Sequence, residues 1–430
     1  MQINNIKNSL LLKNCKVVDP FQDSIYDTDI LIKKGRIEKI DKNIPEKGIE
    51  KIVDLNGLSL SPGFIDIHVH FREPGNEDAE TIESGAKAAI AGGFTQVCCM
   101  PNTNPAIDTR GTVQFIYEQA ENLPVKVYPI AAITKGRKGK ELTEMGELSK
   151  AGAVAFSDDG SPVMNSQLFR NALEYSKLFN KPIINHAEDN TLKGNSIMNE
   201  GVVSTQLGLS AAPAIAEEIM ISRDLEIAGF TKARIHIPHV STAGSVDLIR
   251  KAKKKGVNVT AEATPHHFSL TDEYLRNFDA NGKVSPPLRT EKDRLAIIEG
   301  IKDGTIDAIA TDHAPHNYET KETSIDLASF GMIGLESAFG LAMTKLVQPN
   351  HINLMKLIKS LTVNPAAIMN LELSKIAKNE IANFTIFNPD EWWVFSKKDI
   401  YSRSGNTPFI GEELTGRVKS VITGSKHIII

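Results

Sequence analysis

Eight short apolar runs separated by segments of helical period constrain this chain more than any other feature. They are Phe64–His70, Thr95–Met100, Val125–Ile130, Ala153–Ser157, Pro182–His186, Ala233–His239, Val257–Ala263 and Ile306–Thr311. Runs of this length, each bounded by turn or helix signals, read as strands. Between them apolar residues recur at helical spacing, as at Leu168, Phe169, Ala172, Leu173 and Leu178, behind Asn165 or Ser166 as a cap. Ser241 or Thr242 starts a second such segment, which Gly256 stops in the C′ position. Strands alternating with helices eight times predict a (β/α)8 barrel of the TIM type. The ends read differently. Residues 11–60 give short strand-like pieces with turn signals at Asp19-Pro20, Lys34-Gly35 and Asn56-Gly57, and the same texture returns after Lys378 in Ala382–Phe387, Trp392–Phe395 and Arg417–Thr423. The expectation is a barrel over residues 61–375 and one small β-sandwich-like domain built from residues 1–60 and 376–430. The longest polar loop inside the barrel, 317–329, is a candidate lid.

Composition excludes several classes. Lys+Arg at 49 against Asp+Glu at 53 gives a formal net charge of −4, with no basic stripe to track phosphates, so no nucleic-acid partner is expected. Lys251 and Lys253 to Lys255 end a helical segment, where positive charge suits the dipole. No apolar run approaches the roughly 20 residues that span a bilayer, and Leu10 to Leu12 are too few for a signal segment. Cys15, Cys98 and Cys99 cannot make a disulfide framework, which suits a reducing cytoplasm. A soluble cytoplasmic enzyme is the reading.

Chemistry-bearing residues gather at the ends of these runs. In GFIDIHVHFREPG, residues 63–75, His68 and His70 sit two apart, roughly 7 Å between Cα atoms in a strand, on one face. The fourth run leads into Asp158-Asp159, the fifth ends at His186, the sixth at His239 and the eighth at Asp312. Active sites of (β/α)8 barrels lie at the C-terminal rim of the strands. Four histidines and two aspartates arriving there suit zinc or another first-row divalent ion. Six ligands exceed one tetrahedral site, so a pair of ions bridged by hydroxide is expected; such ions acidify bound water and polarise a carbonyl. His236, at an odd offset from His239, and His313, beside Asp312, are read as structural. His266 and His267 end the seventh run with a supporting or a packing role equally open. Cys98 and Cys99 read as buried small hydrophobes, and Trp392-Trp393 as local core, with an exposed half as a candidate subunit contact.

Six motifs carry a resemblance. His68-Val69-His70-Phe71-Arg72-Glu73-Pro74-Gly75, Met100-Pro101-Asn102-Thr103, Ser157-Asp158-Asp159-Gly160, His239-Val240-Ser241-Thr242, Thr264-Pro265-His266-His267 and Thr311-Asp312-His313-Ala314-Pro315-His316 resemble, in order, the class I dihydroorotases of the amidohydrolase superfamily. The resemblance implies reversible hydrolysis of dihydroorotate to N-carbamoyl-aspartate, the closure serving pyrimidine biosynthesis. It implies that His68, His70 and Asp312 hold one zinc ion, that His186 and His239 hold a second, and that Asp159 bridges them, with Asp158 as the competitor for that role. Many relatives bridge through a carboxylated lysine. Phe156-Ser157-Asp158-Asp159 contains none, so the chain is similar to the bacterial subset that uses aspartate. Asp312 would be general base and acid. Arg72, Asn102 and His316 would read the substrate carboxylate, with His70, Ser285, Phe330 and Gly331 also against the substrate. Ser285 stands where the family commonly has asparagine, as in allantoinases. The resemblance further implies a homodimer and association with aspartate carbamoyltransferase. The alternatives are an allantoinase or a hydantoinase/dihydropyrimidinase-type cyclic amidase, whose rings lack the carboxylate that Arg72 would meet, and a non-catalytic scaffold, which would have shed its ligands.

Overall fold

The computed structural model describes residues 1–430. Each of the eight apolar runs overlaps one strand: Phe64–Val69, Phe94–Cys99, Lys126–Pro129, Phe156–Ser157, Ile183–Ile184, Ile235–Ile237, Val259–Ala263 and Ala308–Ile309. They are referred to below as barrel strands one to eight. Their pairings are parallel and sequential. Bridges Ala131 to Phe156 and Val69 to His313 join the two arcs, and the His70 amide donates to the His313 carbonyl at 2.9 Å. The barrel is therefore closed. Residues from strands one, two, five and eight, including Ile65, Cys98, Ile184 and Ala308, share one buried cluster that can exist only in the barrel interior. Outside, 64 buried residues pack helices onto the strands. The helix starts follow the sequence signals: Asn165 caps Ser166–Lys177 and Thr242 caps Ala243–Lys254, each accepting a backbone N–H three residues on.

Both termini enter one nine-stranded sheet. Gln2–Asn5 pairs antiparallel with Lys426–Ile429, and Ser59–Pro62 pairs antiparallel with Asn383–Val394. An isolated bridge from Arg36 to Ile381 brings the far edge of the sheet back to the C-terminal segment, so the sheet folds over a core containing Leu12, Val17, Ile30, Phe384 and Ile422. The two separate runs Ala382–Phe387 and Trp392–Phe395 are one strand, continuous through a register shift between Asn388 and Trp392. No helix is long and apolar enough to cross a membrane.

Candidate active site

The ends of strands one, four, five, six and eight deliver His68 and His70, Asp159, His186, His239 and Asp312 to one buried cluster. Asp159 is at its centre. Its Oδ1 lies 3.6 Å from His68 Nε2, His186 Nδ1 and His239 Nε2, and its Oδ2 lies 3.5 Å from His70 Nε2. Two trios of converging ligand atoms share this carboxylate: His68, His70 and Asp159, then Asp159, His186 and His239. Asp312 Oδ1 stands 2.9 Å from His70 Nε2 and 3.5 Å from His68 Nε2. Asp158 is engaged elsewhere, accepting the Thr134 amide at 3.0 Å and the Thr134 hydroxyl.

The backbone turns abruptly at this rim. Arg72, His239 and Asp312 have φ of 60°, 32° and 49°. Left-handed conformations in residues other than glycine cost of order 1–3 kcal/mol and persist where surrounding structure fixes them. Here they follow three barrel strands and set the direction of three side chains expected at the site.

The cluster fits a metal centre. His68 Nε2 and Asp159 Oδ1 are buried with no hydrogen-bond partner, an arrangement that costs roughly 1–3 kcal/mol per group in the absence of a ligand. Imidazole nitrogens and carboxylate oxygens are the donor set of zinc and similar divalent ions. The electrostatics agree. Burial lowers the proton affinity of His68, but Asp159, Glu262 and Asp312 lift it well above the usual value, so the site draws positive charge. Burial raises the Asp312 carboxyl, and His68 and His70 more than reverse this, holding it below the ordinary carboxylate range.

A dihydro-orotase-like family model matches residues 57–245. The chain is 47% identical over 413 residues to a dihydroorotase of Syntrophus aciditrophicus, covering 95% of this chain and 96% of that one. It is 48% identical over 415 residues to a dihydroorotase of a Thermoanaerobacter species, covering 96% and 95%. The chain belongs to the dihydroorotase family. An L-hydantoinase (dihydropyrimidinase) of Arthrobacter aurescens superposes with a TM-score of 0.85 at 22% identity, covering 98% of this chain and 97% of that one, a likeness of fold.

In this member of the dihydroorotase family the histidines are oriented by neighbours that the sequence reading did not single out. Glu262, on strand seven, meets His68 Nδ1 at 2.6 Å through Oε1 and His236 Nε2 at 3.0 Å through Oε2. Glu188 accepts from His186 Nε2 at 2.9 Å, and Arg137 Nη2 donates to the Asp159 carbonyl at 2.5 Å. Such partners fix which ring nitrogen faces the centre. Asp66 accepts the His68 and Thr311 amides, latching strand eight to strand one, where the ladder shifts register between Asp66 and Val69. Burial pushes the Asp66 carboxyl up to about 7. A carboxylate inside an apolar run, as at Glu262 in Val259–Ala263, was the available signal.

The expected substrate contacts are partly occupied by one another. Asn102 Oδ1 accepts from His70 Nδ1 at 2.8 Å, leaving its NH2 group free of this bond. Arg72 Nε donates to the Pro315 carbonyl at 3.1 Å, and its Nη2 lies 3.2 Å from His316 Nε2. Burial and the Arg72 charge hold His316 down to about 3, so it is neutral and donates Nε2–H to the Phe330 carbonyl at 2.8 Å. Gly331 has φ of 128°, and a Cβ there would stand 2.6 Å from that of Ala314. Its amide donates to the Lys283 carbonyl at 2.9 Å, and its own carbonyl accepts from Lys321 and Asn406. The loop 317–329 is tied down by two lysines: Lys283 Nζ donates to the loop carbonyls of Ile325 and Asp326, and Lys321, within the loop, donates through Nζ to the carbonyls of Ser329 and Gly331. His236 and His313 are buried and bonded within the protein, His313 accepting the Gly334 amide at Nδ1. His267 donates to the Pro286 carbonyl, whereas His266 Nε2 has no partner. Cys98 and Cys99 are buried thiols.

Proposed function

We propose that this chain interconverts dihydroorotate and N-carbamoyl-aspartate by opening and closing the ring amide, with zinc held by His68, His70, Asp159, His186, His239 and Asp312. Arg72 carries the substrate reading. It is a partly buried guanidinium beside the ligand cluster, and it makes no ion pair with any carboxylate of the protein. A fork of N–H donors in that position recognises a ligand carboxylate bidentately. The NH2 group of Asn102 extends the same wall.

Bound ions at such a site acidify water to a pKa near 7 and polarise the carbonyl under attack. Asp312, 2.9 Å from His70 Nε2 and beside the cations that the cluster would hold, takes a proton from the attacking water. The water oxygen bonds to the ring carbonyl carbon, the bond from that carbon to nitrogen breaks, and Asp312 returns the proton to the nitrogen. The second proton leaves to solvent as the new carboxyl ionises. Arg72 holds the ring by its carboxylate throughout, and Asn102 and Glu262 keep His70 and His68 from rotating. Two ions sharing Asp159 are the favoured occupancy, since both trios of ligand atoms include it.

The proposal extends to residues 61–375 as the catalytic domain, a homodimer, a cytoplasmic setting supported by three buried unpaired thiols, and association with aspartate carbamoyltransferase, supported by the family resemblance. Sedimentation alone and with that partner tests the assembly.

The deciding experiment is a turnover panel of dihydroorotate, hydantoin, dihydrouracil and allantoin on zinc-loaded protein, before and after chelation, with Arg72→Ala alongside. Chelator-sensitive turnover of dihydroorotate, lost in Arg72→Ala, is expected. Turnover of a neutral ring at a rate indifferent to Arg72 would overturn the substrate assignment and leave the metal centre standing.

A further inference from the structure

Lys193 lies at the end of a single helical turn, Asn190–Lys193, in the loop that follows strand five and His186. Its ammonium donates to Glu188 Oε2 and to Ser285 Oγ. Ser285 in turn gives its only proton to Glu188 Oε2 at 2.5 Å. The serine hydroxyl therefore has no hydrogen left for a ligand. Lys193 does: an ammonium has three N–H groups, and two are used. Its Nζ lies 5.6 Å from the centroid of the Phe330 ring, against which Lys283 Nζ packs more closely, at 4.4 Å, so the Lys193 ammonium is not held by that ring. Its side chain remains 18% exposed while Glu188 is fully enclosed, so the ammonium is at the solvent edge of this contact, next to Ser285.

Strands one and five are opposite each other in an eight-stranded barrel, so Lys193 faces Arg72 across the mouth of the site, with Phe330 near both: its carbonyl accepts from His316 and its ring lies by Lys193. A dihydroorotate ring held by its carboxylate at Arg72 points its opposite edge, the imide nitrogen flanked by two carbonyls, towards strand five. One of those carbonyls is the reacting one at the ligand cluster. The other is the urea oxygen. We infer that Lys193 binds this urea oxygen and is a catalytic residue of the ring opening. When the carbon–nitrogen bond breaks, the electron pair on nitrogen delocalises onto the urea oxygen until Asp312 delivers the proton, and an ammonium hydrogen bond there strengthens as that charge develops. The inference rests on the dihydroorotase reading above.

The test compares the wild-type holoenzyme with Lys193→Met and Lys193→Arg on dihydroorotate and on 2-thiodihydroorotate, whose sulfur is a weak hydrogen-bond acceptor, as substrate or competitive inhibitor, with metal content measured on each protein. Lys193→Met is expected to lower kcat/KM for dihydroorotate on the order of 10- to 100-fold, to lose far less against the thio analogue, and to keep its metal. Lys193→Arg should recover most of the loss. Equal losses on oxygen and sulfur rings, or loss of metal in Lys193→Met, overturn the assignment and leave Lys193 a support for His186. Absence of wild-type turnover of dihydroorotate overturns the assignment together with the reading beneath it.

Discussion

Asp158 and Asp159 are the same side chain one peptide apart, and their surroundings give them opposite tasks. Thr134 saturates Asp158 with an amide and a hydroxyl, whereas Asp159 keeps an unpartnered oxygen among three imidazoles. Asp159→Asn should therefore bind no more than one ion per chain and lose most activity, while Asp158→Asn should retain the full complement; metal analysis after gel filtration reads both. Equal depletion in the two variants would refute the division of labour. Glu262 offers a second prediction. It holds His68 by one oxygen and His236 by the other, so Glu262→Gln should weaken metal affinity about 10- to 100-fold with the ligands themselves intact, as measured by chelator competition. The candidate ligands were legible because each lies in or just past the end of an apolar run, where polar residues are out of place. Glu262 gave the same kind of signal, a carboxylate inside an apolar run, but its partner His68 is 194 positions away in sequence and only barrel closure shows what it holds. Lys193 carried no signal: a lysine closing a polar helical turn reads as solvated, and its partners Glu188 and Ser285 meet only in the fold.

At the level of elements, apolar runs revealed all eight barrel strands, but their bounds shrank. Pro182–His186 became Ile183–Ile184 because the residues past the ladder turn outward to make the site. The loop after strand eight was legible only as polar. Two buried lysines, Lys283 outside it and Lys321 within it, bind carbonyls in and next to it, a pattern that composition cannot express. Lys321 is the more informative of the two. It is 4% exposed and has no carboxylate partner, and burial, with the nearby charge of Lys283, lowers its pKa to about 7. An unfolded lysine titrates near 10.4. Between these values the unfolded chain binds more protons than the folded one, so stability rises as pH goes from 7 to 10, and the penalty is complete below 7. Lys321→Met removes the titrating group. Urea midpoints at pH 7 and pH 9.5 should show the wild type gaining on the variant by on the order of 2–4 kcal/mol. Parallel behaviour at the two pH values would mean that Lys321 is charged in both states at little cost.

Across the whole molecule, the site depends on closure. The proposed ligands come from five strands spread through residues 68–312, so no local segment can assemble the cluster, and an ion that binds it binds the folded chain in preference to the unfolded one. Binding confined to the folded state stabilises it by RT ln(1 + [L]/Kd), roughly 4 kcal/mol at a thousandfold excess over Kd. Chelation should therefore lower Tm by several degrees, and readdition of zinc should restore it. The shift should shrink in Asp159→Asn, where the shared ligand is gone, but persist in Arg72→Ala, where only the substrate wall is altered. Calorimetry on the three proteins, each with and without chelator, separates the readings without any assay of turnover. A scaffold that kept the barrel but not the metal would melt at one temperature with or without chelator. A centre used for chemistry, built from unpartnered buried groups such as His68 Nε2 and Asp159 Oδ1, must lose stability when the ion that satisfies them is withdrawn.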